Sequence, residues 1–133
     1  MNVLELFAGV GGFRVGFEKA SPTFKTLWSN QFEPSRKSQD AFEVYNYHFP
    51  DSENWNEDIT TIPDESFSAL KDKVDLIVGG FPCQDFSVAG KRQGFNSLKS
   101  HIGEKISSEE ANVENRGQLY IWMKEVVSIV KPK

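Results

Sequence analysis

The chain opens with Val3-Leu4-Glu5-Leu6-Phe7, an apolar run that stops on Ala8-Gly9-Val10-Gly11-Gly12 and gives way to a helix-length segment from Phe13 to Ala20. A short buried strand that ends on glycines and re-enters as a helix commits a chain to layered α/β architecture. The glycines supply the positive φ angles that so tight a turn needs, and the helix must cross back before a second, parallel strand can form. Phe24 to Asn30 reads as that second strand.

The remaining segments continue the alternation. Pro34 suits the first turn of the next helix, where a missing N–H costs little, and Ala41, Val44 and Tyr45 recur at helical spacing. Trp55 to Ile59 reads as a very short third strand, Glu65 to Leu70 as a short helix and residues 74–78 as a buried fourth strand. A long Gly-, Ser-, Lys- and Glu-rich stretch follows from Asp85 to Asn115. Leu119, Trp122, Met123, Val126, Val127 and Val130 then mark a final amphipathic helix that stops near Pro132.

Composition narrows the class. A chain of 133 residues is one domain, long enough for a core without staples. With 13% aromatic residues spread along its length, it is not a disordered segment. It has no apolar run near the roughly 20 residues needed to span a bilayer, and its N-terminus lacks the basic start of a signal peptide. The single cysteine, Cys83, leaves no intrachain disulfide and no Cys-based zinc site. These bounds lead us to expect a soluble, cytoplasmic domain with no membrane partner and no metal.

The net charge of -4 argues against a protein that simply coats phosphates. Charge is uneven, however: Lys91, Arg92, Lys99 and Lys105 face only Glu104 within residues 88–105. Such a loop suits a polyanion touched at one place, or plain solvent.

Four places carry candidate chemistry. Gly9, Gly11 and Gly12 lie where a dinucleotide fingerprint would begin, but its third glycine position holds Arg14. Gln31 and Glu33 follow the second strand, where α/β nucleoside sites place an acceptor for ribose hydroxyls. Asp58 and Ile59 follow the third, as a carboxylate and an aliphatic for an adenine ring or as a cap on the next helix. Cys83 follows the fourth strand between Pro82 and Gln84, with Lys91, Arg92 and Arg14 as the cations able to favour a thiolate. A Cys–His hydrolase would need His48 or His101, both expected at the surface.

Taken together, these residues resemble the DNA (cytosine-5)-methyltransferase family. Leu6-Phe7-Ala8-Gly9-Val10-Gly11-Gly12-Phe13 is similar to its first, cofactor-binding motif. Gly80-Phe81-Pro82-Cys83-Gln84-Asp85-Phe86-Ser87-Val88-Ala89-Gly90 is similar to its catalytic Pro-Cys motif. Arg116-Gly117-Gln118-Leu119 is similar to its fifth motif. The resemblance implies a partial Rossmann-like, S-adenosylmethionine-dependent fold with parallel strands in the order 3-2-1-4 and later strands missing.

By that resemblance Phe7, Gly9, Val10, Gly11 and Gly12 line the S-adenosylmethionine site, Phe32 and Ile59 sandwich the adenine, Asp58 takes its amino group and Leu119 closes one side. Gln31 stands where the family commonly has Glu, so the ribose partner is open between Gln31 and Glu33. Cys83 is the implied nucleophile, Pro82 shapes the site, Gln84 and Ser87 lie near the DNA or the flipped base, and Lys91 and Arg92 face nucleic acid. The implied reaction adds the thiolate to C6 of cytosine, which makes C5 nucleophilic enough to take the methyl group. The base must leave the duplex to be reached, and the 85–115 stretch is expected to be a mobile loop that closes behind it.

The Glu-Asn-Val motif, an Arg-bearing motif, the target-recognition domain and the last cofactor segment of that family are not found within these residues. The expectation is therefore an amino-terminal portion of a catalytic domain, residues 1–133, belonging to a prokaryotic restriction-modification system and inactive alone on double-stranded DNA. Other readings are a split enzyme completed by a second chain and a non-catalytic remnant that self-associates through its exposed sheet edge. An RNA cytosine target and, last, an NAD oxidoreductase complete the field.

Overall fold

The computed structural model describes residues 1–81 and 119–133. Strand β1 (Asn2–Leu6) leads through the glycine turn into helix α1 (Gly12–Ala20), then β2 (Lys25–Asn30), α2 (Asp40–His48), β3 (Glu53–Trp55), α3 (Asp64–Ser68) and β4 (Leu76–Gly79). Helix α4 (Leu119–Val130) ends the described chain. The strands form one sheet in the order β3-β2-β1-β4, with parallel pairing throughout. This is the order expected from the sequence. No described helix is long and apolar enough to cross a membrane.

β1 is the central strand and is sealed from Val3 to Leu6. Its side chains divide between two layers, as alternation along a strand requires. Leu4 and Leu6 join the core that Ile59, Ile62, Phe67 and Leu70 form with Val74 and with Leu119, Val126 and Val130 of α4. Glu5 points the other way, to Tyr45 of α2. Helices α3 and α4 thus cover one face of the sheet, and α2 packs on the other.

Several boundaries differ from those read in the sequence. β1 stops at Leu6 because Phe7 turns into the left-handed region, at φ 53. Pro34 is not in a helix: Gln39 holds residues 33–36 as a turn, accepting the Glu33 N–H and donating to the Glu33 and Arg36 carbonyls. α2 therefore starts only at Asp40. The third strand occupies Glu53–Trp55 rather than 55–59, since the chain turns at Asp58, whose carbonyl accepts the Thr61 N–H. α3 and β4 are displaced by one or two residues, to Asp64–Ser68 and Leu76–Gly79. Gly79 is required where it stands, because a Cβ there would lie 2.9 Å from the Leu6 carbonyl oxygen.

Candidate functional site

In a parallel sheet the segments leaving the carboxyl ends of the strands gather at one edge, the place where open α/β sheets hold ligands. Here the exits of β1, β2 and β3 are tied into one unit by hydrogen bonds. The Ala8 N–H donates to the Asn30 carbonyl at 3.0 Å, and the Gln31 N–H to the Trp55 carbonyl at 3.0 Å. Asn30 Nδ2 donates to the Glu57 carbonyl at 2.8 Å. The Gly9 N–H donates to Gln31 Oε1 at 2.8 Å. Gln31 is buried, so its acceptor is committed to the turn rather than left facing solvent.

The turn itself is conformationally demanding. Phe7, Gly9 and Gly11 all have positive φ, at 53, 57 and 93. For a bulky residue such as Phe7 that conformation costs on the order of 1–2 kcal/mol, and strain of this kind clusters at functional sites. Gly11 is pinned from below, since a Cβ there would meet Phe49 Cε2 at 2.5 Å. Gly9 and Gly12 are the opposite: a Cβ on either would meet nothing within 4 Å among the described residues. Among those residues the turn is therefore locked on one side and open on the other.

Around that open side lie the other expected residues. Phe7, Phe32, Glu33 and Asp58 are half-buried, and Val10 is exposed. Phe7 packs against the core cluster of which Ile59 and Leu119 are members. Ile59 and Leu119 are themselves largely sealed into the core, at 5% and 7% exposure, which leaves them only an edge to offer a ligand. Asp58 Oδ1 accepts both the Thr60 N–H at 3.0 Å and the Thr60 hydroxyl at 2.8 Å. It braces its own turn and does not cap α3, whose N-cap is Pro63.

Gly80 and Phe81 leave β4 toward the next candidates, with Phe81 and Tyr120 rings 6.4 Å apart. Pro82, Cys83, Gln84, Ser87, Lys91 and Arg92, and the expected 85–115 loop, lie outside the described residues. Arg14, a candidate cation for the thiol, has its guanidinium engaged elsewhere. It is buried, donating to Glu18 at 2.8 Å, Asp51 at 2.9 Å and Ser52 at 2.6 Å, with its guanidinium 4.2 Å from the Phe49 ring centre. Its charge is spent on two carboxylates.

Sequence reasoning missed Glu5, counted only as part of a strand. It is fully buried, and Tyr45 donates its hydroxyl to Oε2 at 2.9 Å. Burial pushes the Glu5 carboxyl up from its ordinary range, and the Tyr45 hydrogen bond pulls back against that. Burial beside Glu5 also pushes the Tyr45 hydroxyl upward, so it remains a donor. A lone acid within a buried apolar run was the available signal.

The residues present fit an adenosyl cofactor. They offer a turn with open space over Gly9 and Gly12, two half-buried aromatic rings in Phe7 and Phe32, and half-buried carboxylates in Glu33 and Asp58. The cleft between β2, β3 and α3, of about 420 Å³ and lined by Trp28, Trp55 and Lys73, contains none of the expected site residues.

Known proteins are similar to this chain in sequence and fold. The family model for C-5 cytosine-specific DNA methylase matches residues 1–133. The type II methyltransferase M.Sau3AI of Staphylococcus aureus is 39% identical over 98% of the chain and 32% of its own length. M1.HphI of Haemophilus parahaemolyticus is 32% identical over 100% of the chain and 30% of its own length. A solved Escherichia coli structure assigned as a prophage-encoded DNA modification methyltransferase superposes with a TM-score of 0.61 at 27% identity, covering 99% of this chain and 30% of that one. The chain thus spans about a third of the length of the curated relatives it matches.

Proposed function

This chain belongs to the C-5 cytosine-specific DNA methylase family, and from that premise we propose that it binds S-adenosylmethionine at the glycine turn and carries the nucleophile for methylation of cytosine C5 in double-stranded DNA. The observation that carries the cofactor reading is the clamp between Gly9 and Gln31, which fixes the glycine turn to the exit of β2 at the sheet edge. The cofactor supplies an electrophilic methyl group on a sulfonium. The glycine turn and the strand exits beside it orient it.

In this reading Gly9 and Gly12 let the backbone approach the cofactor closely, and Phe7 and Val10 cover it. The adenine lies between Phe32 and the exposed edge of Ile59, its amino group donating to Asp58, with Leu119 behind. The ribose falls to Glu33. Gln31 has its acceptor engaged by Gly9, whereas Glu33 is a half-buried carboxylate held in a turn by Gln39. A charged acceptor strengthens such a hydrogen bond by up to about 1–2 kcal/mol over a neutral one.

Cys83 acts as the nucleophile. Its thiolate adds to C6 of the extruded cytosine, C5 takes the methyl group from the sulfonium, which is left as a neutral thioether, and loss of the C5 proton to a base then expels the thiolate. Pro82 shapes the approach, Gln84 and Ser87 contact the base or the DNA, and Lys91 and Arg92 hold phosphates. With Arg14 neutralised by Glu18 and Asp51, those two cations are the ones left to favour the thiolate. Like the type II enzymes it resembles, the protein works in the bacterial cytoplasm within restriction-modification. Residues 1–133 form the amino-terminal portion of the catalytic domain, and turnover requires the part of the relatives' length that they do not span.

Calorimetry with S-adenosylmethionine tests the cofactor site: micromolar to millimolar binding that Gly9→Val abolishes supports it, and no binding overturns it. Transfer of tritiated methyl to duplex DNA tests the rest. These residues alone are expected to be inactive and to become active with the missing portion added, and robust turnover after Cys83→Ser would refute the nucleophile.

A further inference from the structure

β1 and β4 pair in parallel with Leu6 opposite Gly79, so the glycine turn after β1 and the Gly79-Gly80 pair at the end of β4 start level on one sheet edge. The pair touches both ends of that turn. At its entry, a Cβ on Gly79 would lie 2.9 Å from the Leu6 carbonyl oxygen, an approach that requires glycine. At its far end, a Cβ on Gly80 would lie 3.7 Å from Cε2 of Phe13, in the first turn of α1. That is ordinary van der Waals reach, so the Phe13 ring lies against the backbone leaving β4. From the other layer Met123 of α4 closes on the same place, its Cε 3.3 Å from a Cβ on Gly79. Gly79 thus faces α4 and Gly80 faces α1, as alternation along a strand requires. The Phe13 ring is 48% exposed and is backed by Phe17, with 6.4 Å between ring centres, which in turn meets Phe24 at 4.9 Å.

We propose that Phe13 is a positioning residue: set between the glycine turn and the Gly79-Gly80 pair, it holds the exit of β4 at a fixed separation from the cofactor turn. The inference rests on the cofactor reading given above and extends it to the coupling of two motifs. Strand pairing cannot fix that separation by itself, because the register between β1 and β4 ends at Leu6 and Gly79. One residue on, the atom that Gly80 rests against among the described residues is Phe13 Cε2. Cys83 follows three positions past Gly80, outside the described residues. Methyl transfer between a bound donor and a base held by a thiol depends on their separation, and a misplacement of about 1 Å can cost on the order of 10²-fold.

Cys83 is the single cysteine of the chain, so its alkylation by iodoacetamide reports on that segment alone. The rate is measured on the 133-residue chain with and without saturating S-adenosylmethionine, and affinity is measured separately by calorimetry. In the wild type the bound cofactor is expected to slow alkylation at least about fivefold, the low end of ordinary coupling between sites. In Phe13→Ala that protection is expected to fall below about twofold while affinity stays within about threefold, less than such coupling. Phe13→Met, which refills the contact with a flexible apolar chain, is expected to restore most of the protection. Phe17→Ala removes packing from the same helix one turn further on and is expected to keep it. Protection retained in Phe13→Ala, or lost equally in Phe17→Ala, overturns the inference and leaves the cofactor reading intact. So does a wild type that binds the cofactor without protection. Loss of binding itself in Phe13→Ala also overturns it, since Phe13 then belongs to the cofactor site. Should Phe13→Ala not fold, Gly80→Val decides by forcing the same contact apart from the β4 side: lost protection with retained binding supports the inference, and unchanged protection overturns it. A wild-type chain that binds no S-adenosylmethionine overturns the cofactor reading and this inference with it.

Discussion

The side-chain oxygen of Gln31 accepts the backbone N–H of Gly9 at 2.8 Å, so the segment leaving β2 holds the turn that follows β1. Two strand exits are thereby made one rigid edge, with the side-chain amide standing in for a piece of backbone. Gln31→Leu removes the acceptor and leaves a part-buried N–H unpaired, at a cost of about 1–3 kcal/mol. The expected outcome is a lower midpoint of thermal unfolding and a roughly tenfold or greater loss in S-adenosylmethionine affinity. Gln31→Glu restores an acceptor and is expected to recover most of that affinity.

The glycines of the turn are not equivalent. Gly11→Ala places a methyl 2.5 Å from Phe49 Cε2 at φ 93, and both the clash and the backbone conformation oppose it. Destabilisation of about 2 kcal/mol or more is expected in urea denaturation. Gly12→Ala puts its methyl in open space at the start of a helix and is expected to be neutral or to stabilise by up to about 1 kcal/mol. If the open side of the turn is the cofactor face, Gly12→Ala still weakens S-adenosylmethionine binding, a dissociation of stability from affinity.

Arg14 joins α1 to the segment after α2 through one buried guanidinium. Arg14→Met removes its hydrogen bonds and its stacking on Phe49, a loss of about 2–3 kcal/mol by chemical denaturation. Asp51→Ala removes only a carboxylate that is 75% exposed, and its effect is expected to stay within about 1 kcal/mol. Equal effects from the two substitutions would show that the exposed partner matters as much as the buried one.

Glu5 makes stability depend on pH with a definite sign. Its folded-state carboxyl is raised above the ordinary value, chiefly by burial. Between the unfolded and the folded titration the native state holds the extra proton, so stability falls as pH rises through that window. The wild type is therefore expected to lose stability on going from about pH 4 toward neutrality. Glu5→Gln, which cannot ionise, is expected to flatten that part of the profile in urea unfolding measured across pH. An unchanged slope would mean that Glu5 does not titrate there.

What the residues determined on their own was the order of elements. A run such as 3–7 ending on glycines, and a helix ending near Pro132, are local signals, and the alternation they make admits little besides a parallel sheet with helices on its faces. The strand order 3-2-1-4 followed from motif resemblance and stands in the structure. The same local signals located the turn and Gln31, which directly follow β1 and β2, and Asp58 and Ile59, a few residues past β3. What tertiary structure alone decided was which of these side chains face a ligand and which are consumed in building the edge. Asp58 turns to Thr60 and Arg14 to Glu18 within their own segments, but Gln31 turns back to Gly9 and Arg14 reaches Asp51, and no spacing foretells those two pairings between groups distant in the chain. Glu5 showed only as a lone acid in an apolar run, and its partner could not be read from spacing. Whether a lone acid in an apolar strand is tolerated depends on the hydroxyl that meets it from another helix, and that meeting exists only once the layers have packed.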